Sequence, residues 1–295
     1  MNRRTEGMLG VVAAQTMLGT LGLCVLESGA DPVSVAFYRC AIGGLALTFY
    51  CFWRGDLVGI VRLPPRTLLL AVFSGALIAV NWVLFFEGIR RTGIAVATIV
   101  VHIQPFIVVL MGAAVFRERL QAVTLMWIAL ALIGLVLSTG LTAADLSGSN
   151  AYLAGIGITL AAAVLYAAVT VIAKGISGIK APQLASLQFL TGALVLTAAA
   201  PLAPQDLALP QWGWLMIIGL VHTGGVYVVL YGALPKLATP VIAVLLFLYP
   251  ASAVVVDAVA YGRLIGPGQF AGLLLIVLAS LGVTLGWGPR LRTAV

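Results

Sequence analysis

His102 and His222 are the only histidines in 295 residues, and each falls near the middle of a long apolar stretch. A group that titrates near neutrality at that depth could couple solute movement to protons, or could be a neutral imidazole hydrogen-bonded for packing alone. Thr98 and Pro105 share the face of His102 at helical spacing, and a proline there leaves a backbone carbonyl without its amide partner. Gly219 and Gly225 flank His222 and leave room for a solute or for another helix. Gln15, Asn81, Trp82, Tyr166, Tyr227 and Tyr249, the last beside Pro250, are the other polar or aromatic groups within apolar stretches. Ring faces with a few donors and acceptors suit a pocket for a small amphipathic molecule, and ordinary helix packing draws on the same residue types.

Arg39 lies within an apolar stretch, roughly 10 Å below its nearer end at about 1.5 Å per residue. Glu27, Glu87 and Asp257 fall towards the same side and are its possible partners. Such pairs are either an external gate that breaks on opening or a static tie between helices. Glu118, between Arg117 and Arg119, sits at the edge of its stretch, where a solvated loop is expected. Cys24, Cys40 and Cys51 have neither pairing nor metal spacing and read as small buried apolar side chains. The chain contains no HExxH, no GxSxG and no GxxxxGK[ST]. These absences argue against an enzyme, a metal site and a nucleotide-driven pump, so no cofactor is expected and any transport draws on a gradient or on exchange.

The elements that position these residues follow from hydropathy. Hydrophobic residues make up 62% of the chain, charged residues 8%, and the mean hydropathy is +1.15. A soluble domain carries about a quarter charged residues. Ten stretches approach the roughly 20 apolar residues that a span needs: 7–27, 33–53, 67–87, 93–116, 120–140, 151–173, 182–200, 212–234, 238–260 and 267–287. The sequence therefore predicts an all-α integral membrane protein with ten transmembrane helices. The connectors are too short for an extramembrane domain. The first stretch follows Arg3 and Arg4 as a signal peptide would, but its length and the spans after it predict a retained helix. Trp53, Trp212 and Trp287 near span ends read as interfacial belt residues.

Two sets of five spans flank the polar stretch TAADLSGSN at 142–150. Because five is odd, the second set crosses in the opposite sense, so residues 1–141 and 151–288 form two inverted-topology repeats, the plan of many secondary transporters. Charge agrees with this. With the N-terminus inside, twelve of the sixteen basic residues fall on the inner side: Arg3, Arg4, Arg54, Arg62, Arg66, Arg117, Arg119, Lys174, Lys180, Lys236, Arg290 and Arg292. Only Arg90, Arg91 and Arg263 fall outside, which predicts an N-in, C-in protein. The net charge of +7 thus orients the chain, and no basic run interleaved with aromatics suggests nucleic acid. Pro105 precedes Glu118 by thirteen positions and Pro250 precedes Arg263 by the same interval. Sliding the first half by 145 also lays Phe86, Gly88 and Ile89 over Tyr231, Ala233 and Leu234, and Pro32 matches Pro182 at an offset of 150.

Arg39, Pro105 and the segment FRERLQAVTLMWIALALIG containing Glu118 resemble the EamA-type unit of the drug/metabolite transporter superfamily, and the resemblance covers nearly the whole chain. The second half departs from it: where the unit commonly has Gly-Glu, this chain has Gly262-Arg263, so a role of that acidic residue does not carry over. The small loops and aromatic-bearing middle spans are most similar to YddG-type exporters of aromatic and other neutral amino acids. The resemblance implies a multi-pass inner-membrane protein that exports small amphipathic metabolites by alternating access. It further implies a central cavity lined by helices 1 to 4 and 6 to 9, with helices 5 and 10 peripheral. An exporter of other drugs or metabolites, a channel and a structural membrane protein are the competing readings, separated by saturable, competable flux. Gly75 with Ala79, Gly268 with Gly272 and Gly282 with Gly286 have helix-packing spacing and serve either internal packing or a homodimer.

Overall fold

A computed structural model of the chain describes residues 2–92, 94–118, 121–139, 150–197, 207–262 and 264–287. The described residues are helical, with no strand among them. The elements are α1 (Arg3–Leu18), α2 (Leu21–Ser28), α3 (Pro32–Trp53), α4 (Leu57–Val61), α5 (Pro65–Thr92), α6 (Ile94–Val101), α7 (Gln104–Phe116) and α8 (Ala122–Thr139). The second half continues with α9 (Asn150–Gly175), α10 (Ala181–Leu196), α11 (Leu209–Ile217), a π-helical segment (Ile218–Gly225), α12 (Val226–Ala233), a 3-10 turn (Leu234–Lys236), α13 (Thr239–Leu245), α14 (Leu248–Tyr261) and α15 (Pro267–Leu285). Some of these join end to end, and eight of the resulting stretches are long and apolar enough to cross a membrane. Ala122–Ser138 and Ala181–Leu196 are apolar but shorter. Except for Asn150, the expected linker at 142–150 lies outside the described residues, as do parts of the expected spans 120–140 and 182–200 and the cations Arg119, Arg263, Arg290 and Arg292.

Local chemistry sets the helix starts. Asn2 accepts a hydrogen bond from the Arg4 amide at 3.3 Å, and Asp31 accepts from the amides of Val33 and Ser34, both at 3.0 Å. Pro32 follows Asp31 at the first helical position, where its missing N–H costs nothing and its fixed φ suits the helix. The helices are apolar on nearly every face, so they bury one side against each other and leave the rest to lipid. Ile78, Ala79, Phe189, Tyr227 and Ile242 belong to the central core, whereas Phe49, Trp53, Leu194 and Val259 are largely exposed. A second core joins α7, α8, α13 and α15 through Val109, Ile128, Val244 and Ile276. Trp212, expected in the interfacial belt, packs edge-on against Tyr38 with ring centroids 4.9 Å apart.

The small-residue rows separate into two kinds. A Cβ at Gly272 would stand 2.6 Å from the Ser138 amide nitrogen, and one at Gly282 would stand 2.5 Å from the Trp127 ring, so α8 and α15 touch backbone to backbone. Gly75 similarly admits the Gln188 backbone of α10. Gly268 has open space around it, and Gly286 ends α15 in a left-handed turn at φ 70°. The close contacts are internal to the chain, which assigns these glycines to packing and not to a dimer seam. Gly272→Leu is therefore expected to cost about 1–3 kcal/mol by overpacking, whereas Gly268→Leu should stay within about 0.5 kcal/mol of the parent. Thermal unfolding of both variants in the same detergent checks this contrast.

Candidate functional site

Breaks in four of the membrane-length stretches converge near mid-depth. α1 gives way to α2 at Gly19 and Thr20, α6 to α7 at His102 and Ile103, and α13 to α14 at Leu246 and Phe247, while the π-helical segment interrupts the run from α11 to α12. Two of the breaks have a plain cause in the sequence. Pro105 and Pro250 stand within the first turn of α7 and α14, where a proline is tolerated, and each breaks the amide ladder of the helix before it. Neither proline can donate to the carbonyl four residues earlier, on Val101 and Leu246. The two breaks face each other: the His102 ring lies 6.0 Å from Phe247 and stacks at 6.2 Å on Tyr249.

Between the breaks is a cavity of about 340 Å³. It runs from mid-depth towards the end of the bundle where α2 stops and α3 starts. Gln15, Asn81, Trp82, His102, Tyr166, Tyr227 and Tyr249 all line it, together with Arg39. His102 Nδ1 is 2.7 Å from the Thr98 carbonyl, which fixes the ring in the wall. Asn81 donates to the Ala162 carbonyl at 2.8 Å. Tyr227 is held edge-on by Phe189 and Tyr231 at 4.8 and 5.3 Å. The lining also includes Thr98 and Gln104, the first noted only as a neighbour of His102 and the second not foreseen. The position of Gln104, beside Pro105 in a helix that must break, is the signal that could have found it.

Three expectations from sequence are corrected by this geometry. His222 is not part of the cavity wall: it is buried at the α2 junction, with Nε2 2.7 Å from the Thr20 hydroxyl. Its equal standing with His102 came from depth alone, and depth does not give the direction of a side chain. Glu87 does not pair with Arg39. It is tied within α5 to Arg90 and Arg91, both at 2.6 Å, because those cations sit one helical turn away. Asp257 likewise makes no ion pair with Arg39 in the structure. Arg39 Nε instead donates to the Thr223 hydroxyl at 3.0 Å, and its guanidinium lies 4.2 Å above the Trp82 ring.

The opposite end of the bundle, which carries the lysines, is closed by contacts between distant segments. Glu118 pairs with Lys174, and the Thr239 backbone N–H donates to Glu118 Oε2 at 3.1 Å. Lys174 also donates to the Thr239 hydroxyl at 2.6 Å and lies 4.3 Å over the Phe116 ring. One knot thus ties the ends of α7 and α9 to the start of α13, in place of the solvated loop expected around Glu118. Lys236 with Glu6 at 2.5 Å and Lys180 with Asp56 at 2.6 Å close the same end. Exposed pairs are worth little singly, but the Lys174 side chain is only 10% exposed and its pair is correspondingly less screened.

Known proteins are similar to this chain in sequence or in fold. YxxF, an uncharacterized transporter of Bacillus subtilis, is 28% identical over 288 residues, covering 96% of this chain and 90% of its own length. The pseudopaline exporter CntI of Pseudomonas aeruginosa is 28% identical over 226 residues, 75% of each chain. A solved crystal structure superposes with a TM-score of 0.84 over 96% of this chain and 97% of its own, at 20% identity, a likeness of fold. Residues 5–140 and 153–285 match the EamA-like transporter family, and with nearly the whole length accounted for, the chain belongs to that family.

Proposed function

We propose that this transporter carries small amphipathic metabolites, with aromatic and other neutral amino acids as the leading class, out of the cytoplasm by alternating access through the central cavity. The observation that carries the reading is the cavity itself: an aromatic and polar chamber at the meeting point of interrupted helices, with the lysine-rich end closed by ion pairs between distant segments. Trp82, Tyr166, Tyr227 and Tyr249 offer ring faces to an apolar side chain, while Gln15, Asn81 and His102 offer donors and acceptors. The Val101 carbonyl, which Pro105 leaves without its usual donor, belongs to a lining residue and suits an ammonium group.

In this proposal the ten apolar segments are ten spans in two inverted five-helix repeats, N-in and C-in, in the cell's inner membrane. The lysine-rich end is then cytoplasmic, in agreement with the distribution of basic residues. The cavity reaches towards the outside, and the Glu118–Lys174–Thr239 knot is the cytoplasmic closure that must release when the carrier turns inward. The name of CntI, an exporter of pseudopaline, supports export as the direction and a wider metabolite range as the second reading.

Reconstitution tests the function. Proteoliposomes are expected to take up labelled phenylalanine or tryptophan in a saturable manner that unlabelled amino acids compete away, and a test with and without a proton gradient reads the coupling. Absence of competable flux for a full amino acid panel would overturn the substrate class. His102→Ala should lower transport several-fold at normal membrane expression, whereas His222→Ala should act chiefly on thermal stability, because only His102 reaches the cavity. Glu118→Gln should loosen the cytoplasmic end: in a cysteine-free background, Gln104→Cys is expected to react faster with an impermeant thiol reagent applied from that side. An unchanged labelling rate would remove the knot from the gating account.

A further inference from the structure

Arg39 is buried, with 9% of its surface exposed, and lies in the cavity wall at membrane depth. A charge there is costly unless partners surround it, so what contacts the guanidinium states its purpose. Nε donates to Thr223 Oγ1 at 3.0 Å, and that hydroxyl donates its own proton to the Ile218 carbonyl at 3.0 Å. Thr223 therefore gives Arg39 a neutral acceptor and no counter-charge. The guanidinium plane rests 4.2 Å from the Trp82 ring centre and 5.9 Å from that of Tyr227. Such stacking supports a cation while leaving its N–H edge free. No Asp or Glu is among the described residues lining the cavity, and one sequence candidate, Glu87, is taken up by Arg90 and Arg91.

The fold goes to some length to hold this arrangement. The π-helical segment turns Thr223 so that it bonds to a carbonyl five residues back and faces α3. A Cβ on Gly43 would stand 2.7 Å from the Thr223 methyl, and one on Gly219 would stand 2.5 Å from Ile42. Only glycine at both positions lets α3 approach closely enough for Arg39 to reach Thr223.

From this we infer that Arg39 is the anion-binding residue of the cavity and that the transported molecule presents a carboxylate to it. The inference rests on the central cavity being the substrate site, as proposed above. Arg39 has two terminal amino groups to offer beyond its Thr223 bond, a fork that matches a carboxylate in a bidentate manner. It is the sole Arg or Lys among the described lining residues, which suits a single negative charge in an otherwise apolar, aromatic chamber and disfavours a phosphate dianion.

The test uses the full-length protein in lipid nanodiscs and three probes of one shape: phenylalanine, its deaminated analogue hydrocinnamate, and phenylalaninamide, whose carboxylate is blocked. Wild type is expected to bind both carboxylates, and the amide roughly tenfold or more weakly. In Arg39→Gln the gap between acid and amide should close, and Arg39→Lys should restore part of it. A purely structural Arg39 would lower thermal stability and weaken all three probes alike, leaving the acid-to-amide ratio unchanged; that result overturns the inference. Should wild type bind all three equally, the cavity reading stands and the role of Arg39 falls. If none of the three binds, the proposed substrate class itself is wrong, and the carboxylate site falls with it.

Discussion

A backbone amide or carbonyl inside a bilayer has no water to turn to, so every interruption of a helix at membrane depth must be sheltered by other protein groups. The architecture around the cavity follows from that constraint. This chain interrupts its helices at Gly19, His102, Leu246 and through the π-helical segment, and it brings the interruptions together instead of scattering them towards lipid. Uninterrupted helices, α5 with α9 and α8 with α15, pack side by side around them. Unbroken helices complete the polar lining of that interior, with Arg39 from α3, Asn81 and Trp82 from α5 and Tyr166 from α9.

The same constraint separates the two ends. On the lysine-rich side, carboxylates at helix ends find cations on segments far away in sequence, and the resulting ties hold α7, α9 and α13 together. On the other side the ion pairs of Glu87 are local to α5, and Tyr261 reaches Glu27 at 3.1 Å near the mouth between α2 and α14. The alternating access proposed here needs one end closed by bonds that can be exchanged for water. Charged and hydroxyl pairs at a membrane surface fit that need better than apolar packing does, because water can replace them at modest cost.

Much of this was legible in the sequence because membrane helices follow simple rules. Apolar length located the eight stretches long enough to cross a membrane, and depth together with polarity picked out Asn81, Trp82, His102, Tyr166 and Tyr227, which line the cavity. Pro105 and Pro250 announced two of the breaks. The sequence was silent where direction around a helix decides the outcome: His222 and His102 look alike by depth, yet a π-helical segment turns the first to Thr20 and the second faces Tyr249. Arg39 was noticed for its charge at membrane depth and given the wrong partners, since opposite charges at similar depth seemed to call for an ion pair. Its Thr223 contact depends on the approach that Gly43 and Gly219 allow, which only the folded chain reveals. The Gly19 break carries no proline and left no signature strong enough to read.

The central claim is that the chamber between the broken helices holds the transported molecule. Photo-crosslinking addresses it directly: a diazirine-bearing phenylalanine analogue is irradiated with the reconstituted protein, with and without excess unlabelled phenylalanine, and adducts are mapped by mass spectrometry. Competable adducts on peptides containing Arg39, Trp82, His102 or Tyr249 are the predicted result. Adducts confined to lipid-facing positions such as Phe49 or Leu194, or adducts that unlabelled substrate leaves unchanged, would contradict it.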